Sequence, residues 1–174
     1  MNSFDNFVVF FGYYLIFSFL LGILGFISFF VGKNSIDNHM RYYKIGAVLI
    51  AQLILTVILF YFFHTRFTNN LRDDISRLVD SNELQININD SIVSKYFSDS
   101  LAIELKDIKN IFTNHTGPDF KINVVLITKD KKMHLLFGRD NGDSTLYWIY
   151  VKDYKTSRNN DIGKIRTKLL EYYK

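Results

Sequence analysis

The sequence contains no cysteine and only one proline. Without cysteine the chain has no disulfide framework, no thiolate nucleophile and no thiolate metal ligand. With Pro118 as its only proline, it also has no proline-rich linker. These absences exclude the small disulfide-stapled proteins and the cysteine-dependent enzymes as classes.

Charged residues are also missing from two long stretches near the N-terminus, residues 7–32 and 45–63. Each stretch is long enough to cross the hydrocarbon core of a bilayer, about 30 Å, as a helix. We therefore predict a transmembrane helical hairpin in residues 1–63, with helices over about 7–32 and 45–63. The flank before the first stretch contains Asp5 but no lysine or arginine. It lacks the basic region of a signal peptide, so we predict that the first helix is retained.

Lysines and arginines beside the two stretches predict their orientation in a cell membrane. The connecting loop carries Lys33, Arg41 and Lys44, whereas the N-terminal flank carries no positive residue. Positive charge favours the cytoplasmic side, so we place the loop in the cytoplasm and both termini outside. Three arginines between residues 66 and 77 favour the opposite orientation. The prediction depends on the higher density of positive charge in the loop.

Small residues and one amide predict how the two helices contact each other. Ser18 and Gly22 share one face of the first helix, and Ala47 and Ala51 share one face of the second, which permits close approach. Gln52 lies near the middle of the second helix, where lipid offers its amide no hydrogen-bond partner. An uncharged amide is more typical of a helix contact than of an ion or proton path, so we predict an anchor. The candidate partners of this amide are Ser18, Ser28, Tyr13 and the Gln52 of a second copy.

Residues 64–82 carry a helical stripe of apolar residues at Phe67, Leu71, Ile75 and Leu78. This juxtamembrane helix or stalk has four possible arrangements. It can continue the second transmembrane helix, join two copies, lie among lipid headgroups, or pack on its own domain, which is the default expectation.

Residues 83–174 predict one small soluble α+β domain. Alternating apolar residues predict a strand over residues 84–88, a short return strand at 92–93, and strands over 120–130, 133–140 and 145–151. The short connections between the last three strands require an antiparallel meander. Apolar stripes predict one helix from about residue 98 to residue 112 and another from about residue 160 onwards. The predicted order is strand-helix-strand-strand-strand-helix, with helices on one face of the sheet.

No catalytic or metal-binding pattern is present in the sequence. His115 and Asp119 are close in sequence but supply only two of the three or four ligands that a metal site needs. No nucleophile elbow, Ser-x-x-Lys pair or phosphate-binding glycine loop occurs. The net charge of +4 is dispersed, which argues against nucleic acid as a partner. We therefore expect no enzyme activity, no cofactor and no metal.

Aromatic and basic residues concentrate near the C-terminus, between residues 139 and 166. Aromatic residues with arginine are the types that anchor protein partners, and the same mixture binds anionic headgroups. A tyrosine-rich strand above a solvated loop would have the same composition. The candidate partner-binding residues are Tyr147, Trp148, Tyr150, Lys152, Tyr154 and Arg158.

This C-terminal segment resembles a motif of uncharacterised small bacterial membrane proteins. In the motif, a Tyr-Trp strand is followed by a Lys-x-Tyr loop and by the sequence N-[ED]-I-G-[RK]-I-R-T at the start of a helix. The matching residues here are Tyr147-Trp148, Lys152-Asp153-Tyr154 and the stretch from Asn160 to Thr167. The resemblance covers about a fifth of the chain. It implies a bacterial membrane protein without an assigned function. Together with the two predicted helices, it leads us to expect a multi-pass protein of the bacterial inner membrane.

Three functions fit these features. The first is a membrane-anchored, non-enzymatic binding module of the bacterial envelope that contacts a protein partner or a second copy. The second is a membrane immunity or exclusion protein that acts against a toxin or an incoming element. The third is an enzyme acting on a lipid or cell-wall substrate, which the missing catalytic pattern disfavours.

Overall fold

The computed structural model describes residues 2–35, 38–113 and 116–173. His115, considered above as a metal ligand, lies outside these ranges. The chain divides into two compact units, Met1–Phe67 and Thr68–Lys174.

The first unit is built from helix α1 (Asn2–Asn34) and most of helix α2 (His39–Val79). Both helices are long and apolar enough to cross a membrane. Only 22% of the most apolar window of α1 and 11% of that of α2 is buried, so most of their apolar side chains are exposed. Residues 64–79 are not a separate stalk, because α2 continues through them.

Glycines set the closest approach of α1 and α2. A Cβ atom on Gly46 would lie 2.8 Å from the carbonyl oxygen of Gly25, and one on Gly22 would lie 2.5 Å from Cδ2 of Leu53. The contact therefore includes Gly22 as predicted, but on α2 it passes through Gly46 rather than the predicted small-residue face. Ala47 and Ala51 are exposed, because a one-residue step turns a helical side chain by about 100°.

Gln52 of α2 is bonded to side chains of both helices. Its Nε2 donates to Ser18 Oγ at 2.8 Å and lies 3.2 Å from the hydroxyls of Tyr14 and Thr56. The predicted partner Ser18 is therefore present, and Tyr14 takes the place considered for Tyr13. The third hydroxyl considered, that of Ser28, donates instead to the carbonyl of Tyr42 at 2.8 Å. This polar cluster joins the two helices.

The second unit contains a six-stranded antiparallel sheet in the order β2-β1-β3-β4-β5-β6, together with helix α3 (Lys95–Leu105). The predicted antiparallel meander is confirmed in β3, β4 and β5. The strands are β1 (Gln85–Ile88), β2 (Ser91–Ile92), β3 (Pro118–Ile127), β4 (Lys132–Asp140), β5 (Leu146–Val151) and β6 (Gly163–Arg166).

The core of this unit lies on one face of the sheet. The last three turns of α2 bury Leu71, Ile75 and Leu78. This part of the apolar stripe therefore packs on its own domain, which was the default expectation. α3 buries Leu101 and Leu105. The sheet contributes the alternate residues of its long strands, all nearly without exposure: Ile122, Val124, Leu126, Met133, Leu135, Phe137, Tyr147 and Ile149.

The predicted C-terminal helix is wrong, because residues 163–166 form the edge strand β6. Gly163 has a φ of 144°, which is far from helical geometry. The backbone of residues 163–166 instead pairs with β5, where Ile165 lies opposite Tyr147 and Lys164 opposite Trp148. Three apolar residues at helical spacing predicted a helix, but pairing with the edge of β5 determines the structure of this segment.

Helix α3 is shorter than predicted and begins earlier. It starts after Ser94, whose hydroxyl accepts from the backbone of Phe97 at 3.3 Å, and it ends at Leu105. Beyond it, Lys109 pairs with Lys164 of β6 through two backbone hydrogen bonds of 2.8 and 3.2 Å. This pairing ends the helical path, so Phe112 is not part of a buried stripe.

Candidate functional site

The aromatic residues predicted to form a partner surface are mostly buried. Alternation along β5 turns Tyr147 into the core, whereas Trp148 and Tyr150 point to the other face of the sheet. Tyr150 and Tyr154 are buried as well, and burial raises the pKa of Tyr150. Of the six predicted residues only Lys152 and Arg158 are exposed, with Trp148 half-buried. The structure therefore does not bring the six together as one open surface.

Trp148 is held in place by a fixed polar network. Its indole Nε1 donates to Asp140 Oδ2 at 2.9 Å, and Thr116 Oγ1 donates to the same oxygen at 2.8 Å. Against the effect of burial, these hydrogen bonds and two from the backbones of Gly142 and Asp143 lower the pKa of Asp140. The Lys164 ammonium lies 3.8 Å from the centre of the indole ring, a cation–π contact.

A second network surrounds Gly163 at the start of β6. The Arg72 guanidinium passes close to this glycine, with Nε donating to the carbonyl of Ile162 at 2.6 Å and Nη2 to Asn110 Oδ1 at 2.5 Å. Burial raises the pKa of Asp161, although the positive charges of Lys164 and Arg72 oppose the shift. Much of the motif matched above therefore lies in packed contacts of β5 and β6.

Three clefts follow one another along β6, and we call them together the β6 groove. Cleft A, of about 610 Å³, is lined by Phe97, Glu104, Thr145, Arg166, Thr167, Lys168, Leu169 and Tyr172. Cleft B, of about 590 Å³, is lined by Ile103, Glu104, Asp107, Lys109, Ile111, Ile165 and Arg166. Cleft C, of about 420 Å³, is lined by Asn110, Ile111, Phe112, Thr113, Asp161 and Lys164. Clefts A and B share Glu104 and Arg166, and clefts B and C share Ile111, so neighbouring clefts adjoin each other.

Each cleft of the β6 groove displays one large apolar side chain. Tyr172 in cleft A is 92% exposed, Ile103 in cleft B 70%, and Phe112 in cleft C 89%. Exposed apolar side chains that line a groove are typical of a surface that binds a partner.

Sequence reasoning missed the groove, although one signal of it was present. Ile103 falls on the polar face of α3, off the buried stripe that Leu101 and Leu105 form. Phe112 was assigned to that stripe and Arg166 to a helix. Because of these two assignments, neither Phe112 nor Arg166 was expected to be exposed in a groove.

Backbone groups of β6 also face the groove. The N–H and C=O of Lys164 point outwards, because they pair with Lys109 rather than with β5. Successive outward positions on an antiparallel edge are two residues apart, so the N–H and C=O of Arg166 point the same way. Clefts A and B meet at this residue.

No protein-family model, curated protein or solved structure matches this chain. Within residues 2–35, 38–113 and 116–173, no group of three or more His, Asp or Glu residues is placed to hold a metal ion. The β6 groove is the candidate site, and it is identified from its geometry alone.

Proposed function

We propose that the protein is a membrane-anchored, non-enzymatic binding module, whose domain holds a protein partner in the β6 groove. The observation that carries this proposal is the row of three adjoining clefts along β6, with one exposed apolar side chain in each cleft. Aromatic and aliphatic side chains in such clefts act as the anchors of protein interfaces.

The exposed surface of α1 and α2 supports a membrane anchor. Large apolar side chains such as Phe17, Phe26 and Val48 are more than half exposed, and they recur around both helices. In water each buried Å² of apolar surface gains about 25 cal/mol, so a surface of this extent requires a cover. A lipid bilayer supplies that cover, and the length of both helices fits it.

The charge of the connecting loop and the resemblance of residues 147–167 extend this proposal to the bacterial inner membrane, with the domain on the extracytoplasmic side. Alkaline phosphatase, which is active only outside the cytoplasm, is the reporter for this orientation. Fused after Lys174, it is expected to be active in intact cells, whereas β-galactosidase at the same position stays inactive. The reverse pattern would place the domain in the cytoplasm.

Co-purification tests the proposed function. We expect the tagged full-length protein, extracted in mild detergent from membranes of the organism that encodes it, to recover a protein partner. Ile103→Asp and Phe112→Asp each remove an exposed anchor, so the recovered amount of that partner is expected to fall about tenfold, equivalent to about 1.4 kcal/mol.

The matched control is Ile92→Asp. Ile92 is 68% exposed, close to the exposure of Ile103, but it lies on β2 at the opposite edge of the sheet. This variant is expected to retain the partner. Equal loss in all three variants would contradict binding in the groove, and the absence of any partner of the unaltered protein would contradict the binding module.

A further inference from the structure

Cleft A of the β6 groove carries two neighbouring cations, Arg166 and Lys168. The side chain of Thr167, between them, is buried, and those of Arg166 and Lys168 are exposed. β6 ends at Arg166, and Lys168 lies in the bend that follows it. Both cations line cleft A.

Two carboxylates are near the cations of cleft A: Glu104 lines the cleft, and Asp143 forms an ion pair with Arg166. Burial raises the pKa of Glu104, although a hydrogen bond with Thr167 opposes the shift. Its Oε2 is shielded from solvent and accepts no hydrogen bond from the residues described. Asp143 forms an ion pair with Arg166, with Oδ2 3.4 Å from Nη2, while its Oδ1 accepts two hydrogen bonds from Thr145. The Arg166 side chain is still 62% exposed, and an exposed ion pair of this kind is weak, so Arg166 can also contact a ligand.

No carboxylate in the described parts of the chain lies within 4 Å of the Lys168 ammonium, so this cation is available to a ligand. The apolar wall of the same cleft is formed by Phe97, Leu169 and Tyr172. The ring of Phe97 packs edge to face against the ring of Tyr173, with 5.7 Å between the two ring centres. Cleft A therefore combines an apolar wall with two cations.

We propose that the segment bound in the groove carries an acidic residue next to a large apolar residue. Its carboxylate lies between Arg166 and Lys168, and its apolar side chain packs against Phe97, Leu169 and Tyr172. Complementary charge of this kind selects among partners that an apolar cleft alone accepts. The inference depends on the proposed function, because it names the chemistry of the partner that the groove holds.

Selection from a library of random decapeptides displayed on phage tests this inference with the full-length protein in detergent micelles. We expect enriched peptides to contain Asp or Glu beside Phe, Tyr, Leu or Ile. A synthetic peptide of the enriched sequence is expected to bind about tenfold more weakly to Arg166→Glu and to Lys168→Glu. The matched control is Lys121→Glu, since Lys121 is exposed on β3, away from the groove. It is expected to keep the affinity.

The fold of each variant is checked by the fluorescence of Trp148, the only tryptophan of the chain. Neutral or basic enriched peptides whose binding is lost in Ile103→Asp or Phe112→Asp would overturn the inference and leave the proposed function standing. Enriched peptides that bind these variants unchanged, or no enrichment at all, would overturn both. Acidic peptides with unchanged affinity for Arg166→Glu and Lys168→Glu would overturn the placement of the carboxylate.

Discussion

Gly163→Ala is expected to lower the free energy of unfolding of the domain by about 2–5 kcal/mol, because it combines backbone strain with a steric clash. The φ of 144° at Gly163 is a conformation that residues with a side chain rarely adopt. An added Cβ would also lie 2.8 Å from Cγ2 of Ile108, 2.9 Å from Nη2 of Arg72 and 3.0 Å from the carbonyl oxygen of Lys109. Urea unfolding of the full-length protein in micelles, followed by the fluorescence of Trp148, measures the effect.

Gly117→Ala is the control for Gly163→Ala. A Cβ on Gly117 would have no atom of the described residues within 4 Å, so its effect on the free energy of unfolding is expected to stay within about 0.5 kcal/mol. A loss below about 1 kcal/mol for Gly163→Ala would show that β6 and its contact with Arg72 do not have the geometry described here.

Ile75→Ala is expected to destabilise the domain by about 2–5 kcal/mol, because it opens a cavity in the core. Ile75, near the end of α2, is fully buried. The same Trp148 fluorescence follows the unfolding transition in urea. The expected result is a lower midpoint with an unchanged slope, since the surface exposed on unfolding stays nearly the same.

The matched control for Ile75→Ala is the same substitution on the same helix, Ile58→Ala. Ile58 lies in the first unit and is 59% exposed, so its truncation is expected to leave the urea transition of the domain unchanged. Equal effects of the two substitutions would contradict the assignment of the end of α2 to the core of the domain.

Local patterns predicted the elements that local chemistry determines. The two charge-free stretches correspond to parts of α1 and α2. The alternation of apolar residues in residues 120–151 predicts β3, β4 and β5 and the face of the sheet to which their side chains point. Ser18 was one of four partners considered for Gln52, because an amide that lipid surrounds needs a hydrogen bond, and this bond is present. In these cases one segment carried a signal strong enough to predict its own structure.

Long-range pairing decided the elements that were predicted wrongly. Residues 160–169 have apolar residues at helical spacing, yet Gly163 and Ile165 pair with a strand 14 to 18 residues earlier in the chain. The end of α3 depends in the same way on Lys109, which pairs with a residue 55 positions later. No local window contains either partner, so propensity alone gave a helix.

The candidate site was hidden for the same reason. Cleft A joins Phe97 of α3 to Tyr172 near the C-terminus, with Arg166 of β6 between them. Sequence reasoning favoured the dense aromatic run of β5, where most of the rings serve the packing of the sheet. The composition showed aromatic and basic residues near the C-terminus, but only the fold shows which of them are exposed.

The distribution of label from a lipid-soluble photoactivatable probe in native membranes tests the central claim, a lipid-embedded helix pair that carries an aqueous binding domain. We predict label at exposed positions of α1 and α2, such as Phe17, Phe26 and Val48, and none at the buried Gly25 and Gly46. Residues 84–173, including the β6 groove, are predicted to stay unlabelled. Label spread evenly over the chain, or absent from both helices, would contradict the account.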